Sequence, residues 1–407
     1  MSLHTTIAVI GGGPAGLRAA EVAAQAGVEV TLFDSKPSVG RKFLVAGKGG
    51  LNLTHGEALD RFATRYTGPE IPNGAWRDLI AEFDSQALQH WAAGLEVETF
   101  QASSGRVYPK ALTAAPLLRR WIARLRSLGV NFRMHHRCVS IEMGAPYRMG
   151  FADGSKITAD AVILALGGGS WKKTGSDGDW LSMLESLGID CHPLAPANCG
   201  WEHPWTPEIL AQAEGKPLKN IHVRAGDTTA IGELLLTRYG LEGGPIYQLG
   251  SALRAMNNPA IVIDFKPAHT HEQLLAKMES ARRNFLEEAR QRWKLSDAAV
   301  AILSRKSWQD ADSLAREAKN CVLALSGPRP IDEAISTAGG VCWGEMNGNL
   351  MVKKLPGIFV AGEMIDWEAP TGGYLMQGCF ATGTRAAMGA VEWIRKSAAS
   401  TVRGGRG

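Results

Sequence analysis

An α/β fold built around a parallel sheet is what the sequence predicts, and three features carry the prediction. The chain opens on a short β-branched run, Thr6-Ile7-Ala8-Val9-Ile10, bounded by glycine, which is the pattern of a strand buried on both faces. Gly11-Gly12-Gly13-Pro14-Ala15-Gly16 follows and leads into Leu17 to Ala26, a stretch rich in helix formers that stops at Gly27. Val28 to Phe33 is a second apolar run closing on Asp34, so a complete strand-helix-strand unit fits before residue 35.

Further elements follow in order. Gly40 to His55 is a glycine-rich loop carrying Arg41, Lys42 and Lys48, suited to close backbone approach. Ala115 to Leu128 places Leu117, Leu118, Trp121, Ile122, Leu125 and Leu128 at helical spacing before Gly129. Arg133 to Glu142 and Arg148 to Ile157 alternate around turn residues that include Asp153-Gly154, as hairpin strands do. Ala161 to Leu166 is another buried strand, ended by Gly167-Gly168-Gly169. Prolines and tryptophans gather after Cys191, and alternating runs at Ile221 to Arg224, Ile231 to Leu236 and Ile261 to Phe265 predict a β unit. His271 to Trp293 and Ser307 to Leu325 read as long helical stretches. Gly357 to Glu363 returns to a buried strand ending in Gly-acid, and a helix over about Thr382 to Lys396 precedes a small, polar tail predicted to be mobile. The expected division is a discontinuous domain of 1–190 plus 330–407, an inserted β-rich domain of 191–268 plus about 326–329, and a helical subdomain of 269–325.

Composition bounds the function. The 407 residues are 45% hydrophobic and 21% charged, which excludes disorder, coiled coil and collagen. The 44 basic side chains against 40 acidic ones leave +4 over the whole chain, so no global field favours nucleic acid or an anionic membrane. Cys138, Cys191, Cys199, Cys321, Cys342 and Cys379 show neither CxxC spacing nor the density of a disulfide scaffold, and no cluster of His, Cys and carboxylates has metal-ligand spacing. Reduced thiols, no metal, no targeting segment and a cytoplasmic location are expected.

Gly11, Gly13 and Gly16 satisfy G-x-G-x-x-G in the required strand, turn and helix context. The first glycine permits the tight turn, the second lets a pyrophosphate approach the backbone, and the third lets helix and strand pack closely. Asp34, at the end of the second strand, is placed to accept from a ribose hydroxyl. This is a Rossmann-type dinucleotide site, and the fingerprint alone leaves NAD and FAD both open. Ala165-Leu166-Gly167-Gly168-Gly169 lacks the spacing of a second fingerprint, so no separate NAD domain is expected.

The opening site, together with Ala361-Gly362-Glu363 and Thr371-Gly372-Gly373-Tyr374 near the other end, resembles the FAD-binding domain of glutathione reductase-like flavoproteins. The loops narrow the resemblance. Gly40-Arg41-Lys42-Phe43, Ala46 to His55, Gly105-Arg106-Val107-Tyr108-Pro109, Ala165 to Gly168 with Thr174 to Gly178, Gly232 to Thr237, Gly339-Gly340-Val341 and Gly362 to Asp366 occur in the same order in the HI0933-like flavoproteins. The sequence looks closest to their aminoacetone oxidase-like branch. The resemblance implies an oxidoreductase with noncovalent FAD, in which substrate hydride passes to flavin N5 in a cleft roofed by the inserted domain. A small organic substrate is implied, an amine among the candidates, with oxygen or another acceptor reoxidising the flavin. The alternatives are reduction of an unsaturated substrate with transient NAD(P)H, an RNA-linked flavoprotein, and a flavin scaffold without turnover. The sequence leaves the oligomeric state open.

Carried over residue by residue, the resemblance places Gly11, Gly13, Pro14, Ala15 and Gly16 on the pyrophosphate and Asp34, Ser35 and Lys36 near the adenosine ribose. It places Arg41 and Lys42 near the phosphates, and Gly47, Gly49, Gly50 and Asn52 against the flavin. Val139 would lie beside adenine, Ala165, Gly167 and Gly168 would border the cofactor, and Gly362 and Glu363 would meet the ribityl and pyrophosphate region. Gly372, Gly373, Tyr374 and Gln377 would meet the ring. Many relatives carry Arg-Cys where this chain has Gly50-Leu51, so no thiol acts beside the flavin at that point.

Arg106, Tyr108 and Lys110 lie on a loop that either faces the flavin, where they offer a carboxylate clamp or proton donor, or is a strand-end loop of solvated charges. Tyr374 either bonds substrate or caps the ring, with capping favoured. His55 is a candidate base, although a lone histidine more often satisfies local hydrogen bonds. Trp201 and Trp205 read more readily as core than as a substrate wall. Arg282, Arg283, Arg290, Arg292 and Lys294 alternate with acids as a solvated helix face does, and motivate the RNA reading only weakly.

Overall fold

The computed structural model describes residues 3–404, apart from the side chains of Lys48 and of residues 400–404. Two compact units divide the chain. The first contains everything up to Ala195 and from Ser336 onward, and the second runs from Pro196 to Ile335.

The first unit is built on β1 (Leu3–Ile10), α1 (Pro14–Gln25) and β2 (Val30–Asp34), the opening that the sequence predicts. β1 lies between β2 and a later strand, all parallel, with Ile7 opposite both Val30 and Ala161. Burial on both faces explains why β1 ends as an unbroken apolar run rather than an alternation. β3 (Asn131–Met134) extends the sheet beyond β2, and the hairpin of β4 (Cys138–Glu142) and β5 (Tyr147–Phe151) joins antiparallel to β6 (Lys156–Leu164), the strand beside β1. β7 (Ile358–Val360) pairs parallel with β6, so the C-terminal segment re-enters the sheet laid down by the N-terminal one.

Helices α2 (Arg41–Ala46), α3 (Ala114–Ser127) and α4 (Tyr374–Gly404) are among those that pack in this unit. A buried carboxylate ties α1 to its neighbours. Glu21 accepts from Trp91 Nε1 at 2.8 Å, Trp121 Nε1 at 3.1 Å, Arg18 Nη1 at 3.2 Å and Arg124 Nη1 at 3.1 Å. Arg18 Nε also donates to Thr384 on α4 at 2.9 Å. A charge taken out of water is tolerated because four donors converge on it.

Several predicted elements are redrawn. Arg133 to Glu142 is two strands, because His135 adopts φ +62° and turns the chain between β3 and β4. Asp153-Gly154 lies between β5 and β6, where Asp153 Oδ1 accepts from the Ser155 amide at 2.9 Å. His271 to Trp293 breaks into His271–Ala276 and Phe285–Arg292, the second preceded by Asn284 at φ +53°. Ser307 to Leu325 contains a helix, Ala311–Lys319, followed by a strand, Cys321–Ala324. Alternation and amphipathicity report which face is buried, and a single left-handed residue leaves them almost unchanged. The final helix begins at Tyr374 rather than near Thr382. It continues through Gly404, so the tail predicted to be mobile is helical that far, and 405–407 lie outside the described residues.

The second unit is a seven-stranded antiparallel sheet whose longest strands are Pro217–Ala225 and Thr228–Thr237. One hydrophobic core joins sheet and helices, taking in Trp201, Trp205, Leu236, Trp293 and Leu314. The helices of 269–325 therefore share the sheet's core, and both tryptophans weighed as a substrate wall belong to it. No helix among the described residues is long and apolar enough to cross a membrane.

Candidate functional site

A cleft of about 440 Å³ opens in the first unit where β1, β2 and β6 end. In a parallel sheet this is where ligands bind, because strand ends turn into loops there and helix N-termini point their free N–H groups into the opening. The cleft brings together Gly11, Gly13, Pro14, Ala15, Asp34, Ser35, Arg41, Lys42, Val139, Ala165, Gly167, Gly362 and Glu363.

The three fingerprint glycines divide the work differently. Gly11 has φ +109°, and a Cβ there would stand 2.2 Å from the Ala165 carbonyl oxygen. A Cβ on Gly16 would stand 1.9 Å from the Gly11 carbonyl oxygen, so this glycine serves packing and does not line the cleft. Gly13 differs from both, since a Cβ there would meet no atom within 4 Å and φ is −78°. It faces open space in the cleft wall, at the N-terminus of α1.

Asp34 closes one side. Its Oδ2 accepts from the Gly12 amide and its Oδ1 from the Lys36 amide, both at 2.8 Å. Burial raises its pKa, opposed by these amide bonds and by Lys36 and Arg41. Each carboxylate oxygen keeps lone-pair capacity for a hydroxyl donor. Lys36 itself lies outside the cleft wall, its side chain packed where a Cβ on Gly175 would come within 3.2 Å.

Opposite, Lys42 Nζ donates to Glu363 Oε2 and to Ser170 Oγ, each at 2.8 Å. The pair fastens the start of α2 to the turn after β7. Gly362 has φ +75°, its amide donates to Thr382 Oγ1 at 2.9 Å, and a Cβ would come within 2.8 Å of Ala15.

A second group assembles away from the cleft wall. Gly50 (φ +104°) faces the Tyr108 ring, Gly372 (φ +113°) faces the Arg106 guanidinium, and Gly373 (φ +108°) lies on the backbone of Thr54. Tyr374 Oη donates to Glu57 Oε1 at 2.6 Å, and Arg65 grips the same carboxylate through two bonds of 2.8 and 2.9 Å. Arg65 holds the Glu57 carboxyl down to about 2, while burial and the neighbouring carboxylate push the Tyr374 phenol up. His55 stacks on Tyr374 with centroids 5.2 Å apart, and its two ring nitrogens face the Ser104 carbonyl at 3.1 Å and the Glu57 amide at 3.2 Å. Arg106 is exposed, and Tyr108 stacks on Phe100.

Three side-chain oxygens of this region, Asn52 Oδ1, Thr54 Oγ1 and Gln377 Oε1, are buried without a hydrogen-bond partner among the described residues. Such atoms cost about 1–3 kcal/mol each if nothing bonds them. Gly47 packs against Ala114, Gly49 is open, and Gly168 abuts Thr337 while its carbonyl accepts from Ser176. Sequence reasoning passed over Glu57, Arg65 and Arg137, the last bound to Asp177 at 2.7 Å on the cleft rim. Their signal was tertiary: each is an ordinary charged residue until its partner, distant or loop-borne, is brought alongside.

Comparison with known proteins fits this geometry. The sequence profile of the family described as HI0933-like protein Rossmann domain matches residues 5–389. A 3-dehydro-bile acid delta(4,6)-reductase of Clostridium scindens is 30% identical over 421 aligned positions, covering 95% of this chain and 99% of the relative. A ribosomal RNA dihydrouridine synthase of Escherichia coli is 23% identical over 398 positions, covering 91% and 94%. Among solved structures, a 3-ketosteroid-delta4-(5alpha)-dehydrogenase from Rhodococcus jostii superposes with a TM-score of 0.52 at 17% identity, covering 96% of this chain and 97% of that one. A flavocytochrome c3 fumarate reductase gives 0.51 at 17%, covering 97% and 79%. At those identities the two structures speak to the fold, which is the α/β flavoprotein architecture expected from the sequence. By the span of the profile match and the full-length relative, the chain belongs to the HI0933-like family of flavin-dependent oxidoreductases.

Proposed function

We propose that the chain holds FAD noncovalently in the cleft of the first unit and exchanges a hydride between flavin N5 and a small organic substrate. One observation carries the reading: of the three fingerprint glycines, only Gly13 faces open space, at the N-terminus of α1 in the cleft wall. There the amides of the first helical turn and the helix dipole favour a pyrophosphate. When bound, FAD supplies two-electron hydride transfer, and the protein supplies binding, orientation and exclusion of water.

Each residue then has a part. Asp34 accepts from the adenosine ribose, Ser35 and Lys36 fix the turn beside it, and Val139 flanks the adenine. Arg41 faces the phosphates, while the Lys42–Glu363 pair braces the two loops around them. Asn52, with Gly47, Gly49 and Gly50, and Gln377, with Gly372 and Gly373, belong to the segments that border the ring. Tyr374 caps the ring region, its proton held by Glu57 rather than offered to substrate. Arg106 and Tyr108 stand at the Gly372 and Gly50 turns, the first as an anion clamp and the second as a proton donor.

The bile-acid relative, named a delta(4,6)-reductase, supports reduction of an unsaturated carbon skeleton ahead of oxidation of an amine with oxygen as acceptor. Transiently bound NAD(P)H is the electron donor in this reading. Anaerobic titration of the flavin-loaded protein distinguishes them. The expected result is bleaching by NADH or NADPH and recolouring by an enone. Bleaching by an amine with recolouring in air would reverse the order, and a protein that cannot be loaded with FAD would refute the cofactor.

A further inference from the structure

The second unit has a cleft of its own, about 640 Å³, walled by the start of strand Pro217–Ala225, the loop from Phe265 to His269 and the turn from Lys294 to Ala299. Its lining is rich in cations. Lys216, Lys219, Lys266 and Lys294 line it with one carboxylate, Asp297, which is shared by Lys216 at 2.9 Å and Arg290 at 3.1 Å, while Lys219 reaches Glu233 outside the lining at 3.8 Å. Against a chain that is nearly balanced overall, this is a local concentration.

Two of these lysines have no acidic partner among the described residues. Lys266 Nζ donates to the Lys294 backbone carbonyl at 2.6 Å, which places the cation in the cleft without neutralising it. Lys294 is exposed and its ammonium has no ion pair. Lys277, against His269 at 3.1 Å, adds a third cation beside them. Burial and then the charges of Lys277 and Lys294 lower the Lys266 pKa, as expected for cations crowded without a counter-charge. One wall is tied down. Lys319 Nζ pins the 265–269 loop by bonds to the Asp264 carboxylate at 2.6 Å, the Lys266 carbonyl at 3.0 Å and the His269 carbonyl at 2.6 Å.

A concave, fixed wall with uncompensated ammonium groups focuses a positive potential. Its complement is a multiply charged anion with several acceptor oxygens, which a phosphate provides and a single carboxylate does not. From the four lysines on three converging segments, we infer that this cleft is a binding site for the phosphate groups of a nucleotide or a single-stranded nucleotide chain. The inference stands on the second unit alone and does not depend on the flavin reading.

The test uses the full chain with FAD present in excess, so that a phosphate probe does not enter the first cleft; if no FAD binds, the same comparison of parent and variants is made without it, since the variants change only the second unit. Anisotropy of a short fluorescein-labelled oligouridylate is followed against salt, with inorganic pyrophosphate as competitor. Three or four phosphate contacts at about 0.7 per contact give a log–log salt slope of about −2 to −3. Lys266→Met with Lys294→Gln should flatten that slope by about 1.4 and weaken binding at least tenfold. Lys156→Gln, which removes one exposed charge from the first unit, should change neither. Lys294→Gln alone, at an exposed position, carries the test if the double variant fails to fold. Displacement of the oligonucleotide by stoichiometric pyrophosphate, lost in the variants, assigns the cleft to a free phosphate ligand. Tight oligonucleotide binding that resists pyrophosphate and is lost in the variants assigns it to a nucleotide chain. Failure of both probes to bind, or equal binding by parent and double variant, overturns the inference.

Discussion

Replacing Gly13 by valine separates binding from folding at the cofactor cleft. The backbone there has φ −78°, which any L-residue adopts, and a Cβ meets nothing within 4 Å, so the apoprotein should fold and melt like the parent. The side chain instead enters the space in front of the α1 N-terminus. Crowding a close-packed contact by a few methyl groups costs about 1–3 kcal/mol, which is about 5- to 150-fold in dissociation constant for a ligand that needs that space. Gly16→Ala is the contrasting variant, since its Cβ would lie 1.9 Å from the Gly11 carbonyl oxygen and α1 must move to admit it. Quenching of flavin fluorescence on titration, beside a thermal melt of each apoprotein, reads both quantities. Gly13→Val should lose affinity with its melting temperature kept, and Gly16→Ala should lose both. Stoichiometric FAD bound to Gly13→Val with parental affinity would place the pyrophosphate elsewhere and refute the reasoning.

Other outcomes follow from the same contacts. Glu21→Leu leaves Arg18 and Arg124 without their shared carboxylate and two tryptophan donors unpaired, so urea unfolding should show a loss of about 3–5 kcal/mol. Lys42→Met and Glu363→Gln should each cost about 1–3 kcal/mol, and the double variant should cost less than their sum, because the second change removes a charge already stranded by the first. Glu57 titrates near 2 in the folded protein, below its ordinary value, so its contribution is complete above the unfolded pKa and is lost as pH falls from about 5 to 2; discounted for solvent screening it is about 1–2 kcal/mol, and Glu57→Gln should show a correspondingly shallower acid-induced fall in melting temperature. Tyr374→Phe should leave kcat within a few-fold of the parent with an unchanged pH profile if the ring only caps, whereas a fall of about 10²-fold or more with a lost basic limb would make it the proton donor.

What the sequence determined by itself is local. The strand-turn-helix opening, the three glycines and the acid at the end of β2 are legible because a tight turn and close packing of helix on strand constrain residue type at fixed spacing, and the order of loops sufficed to mark the family. Boundaries that rest on one left-handed residue, at His135 and Asn284, were not legible, since hydrophobic periodicity carries no information about a single φ. Nor was the charge chemistry. Glu57 meets Tyr374 from 317 residues away and Lys42 meets Glu363 from 321, and in the second unit Lys266 comes to rest beside Lys294 rather than beside an acid. Which charges are paired and which are left uncompensated depends on what distant segments the fold brings within a few ångströms, and that was decided only by the tertiary structure.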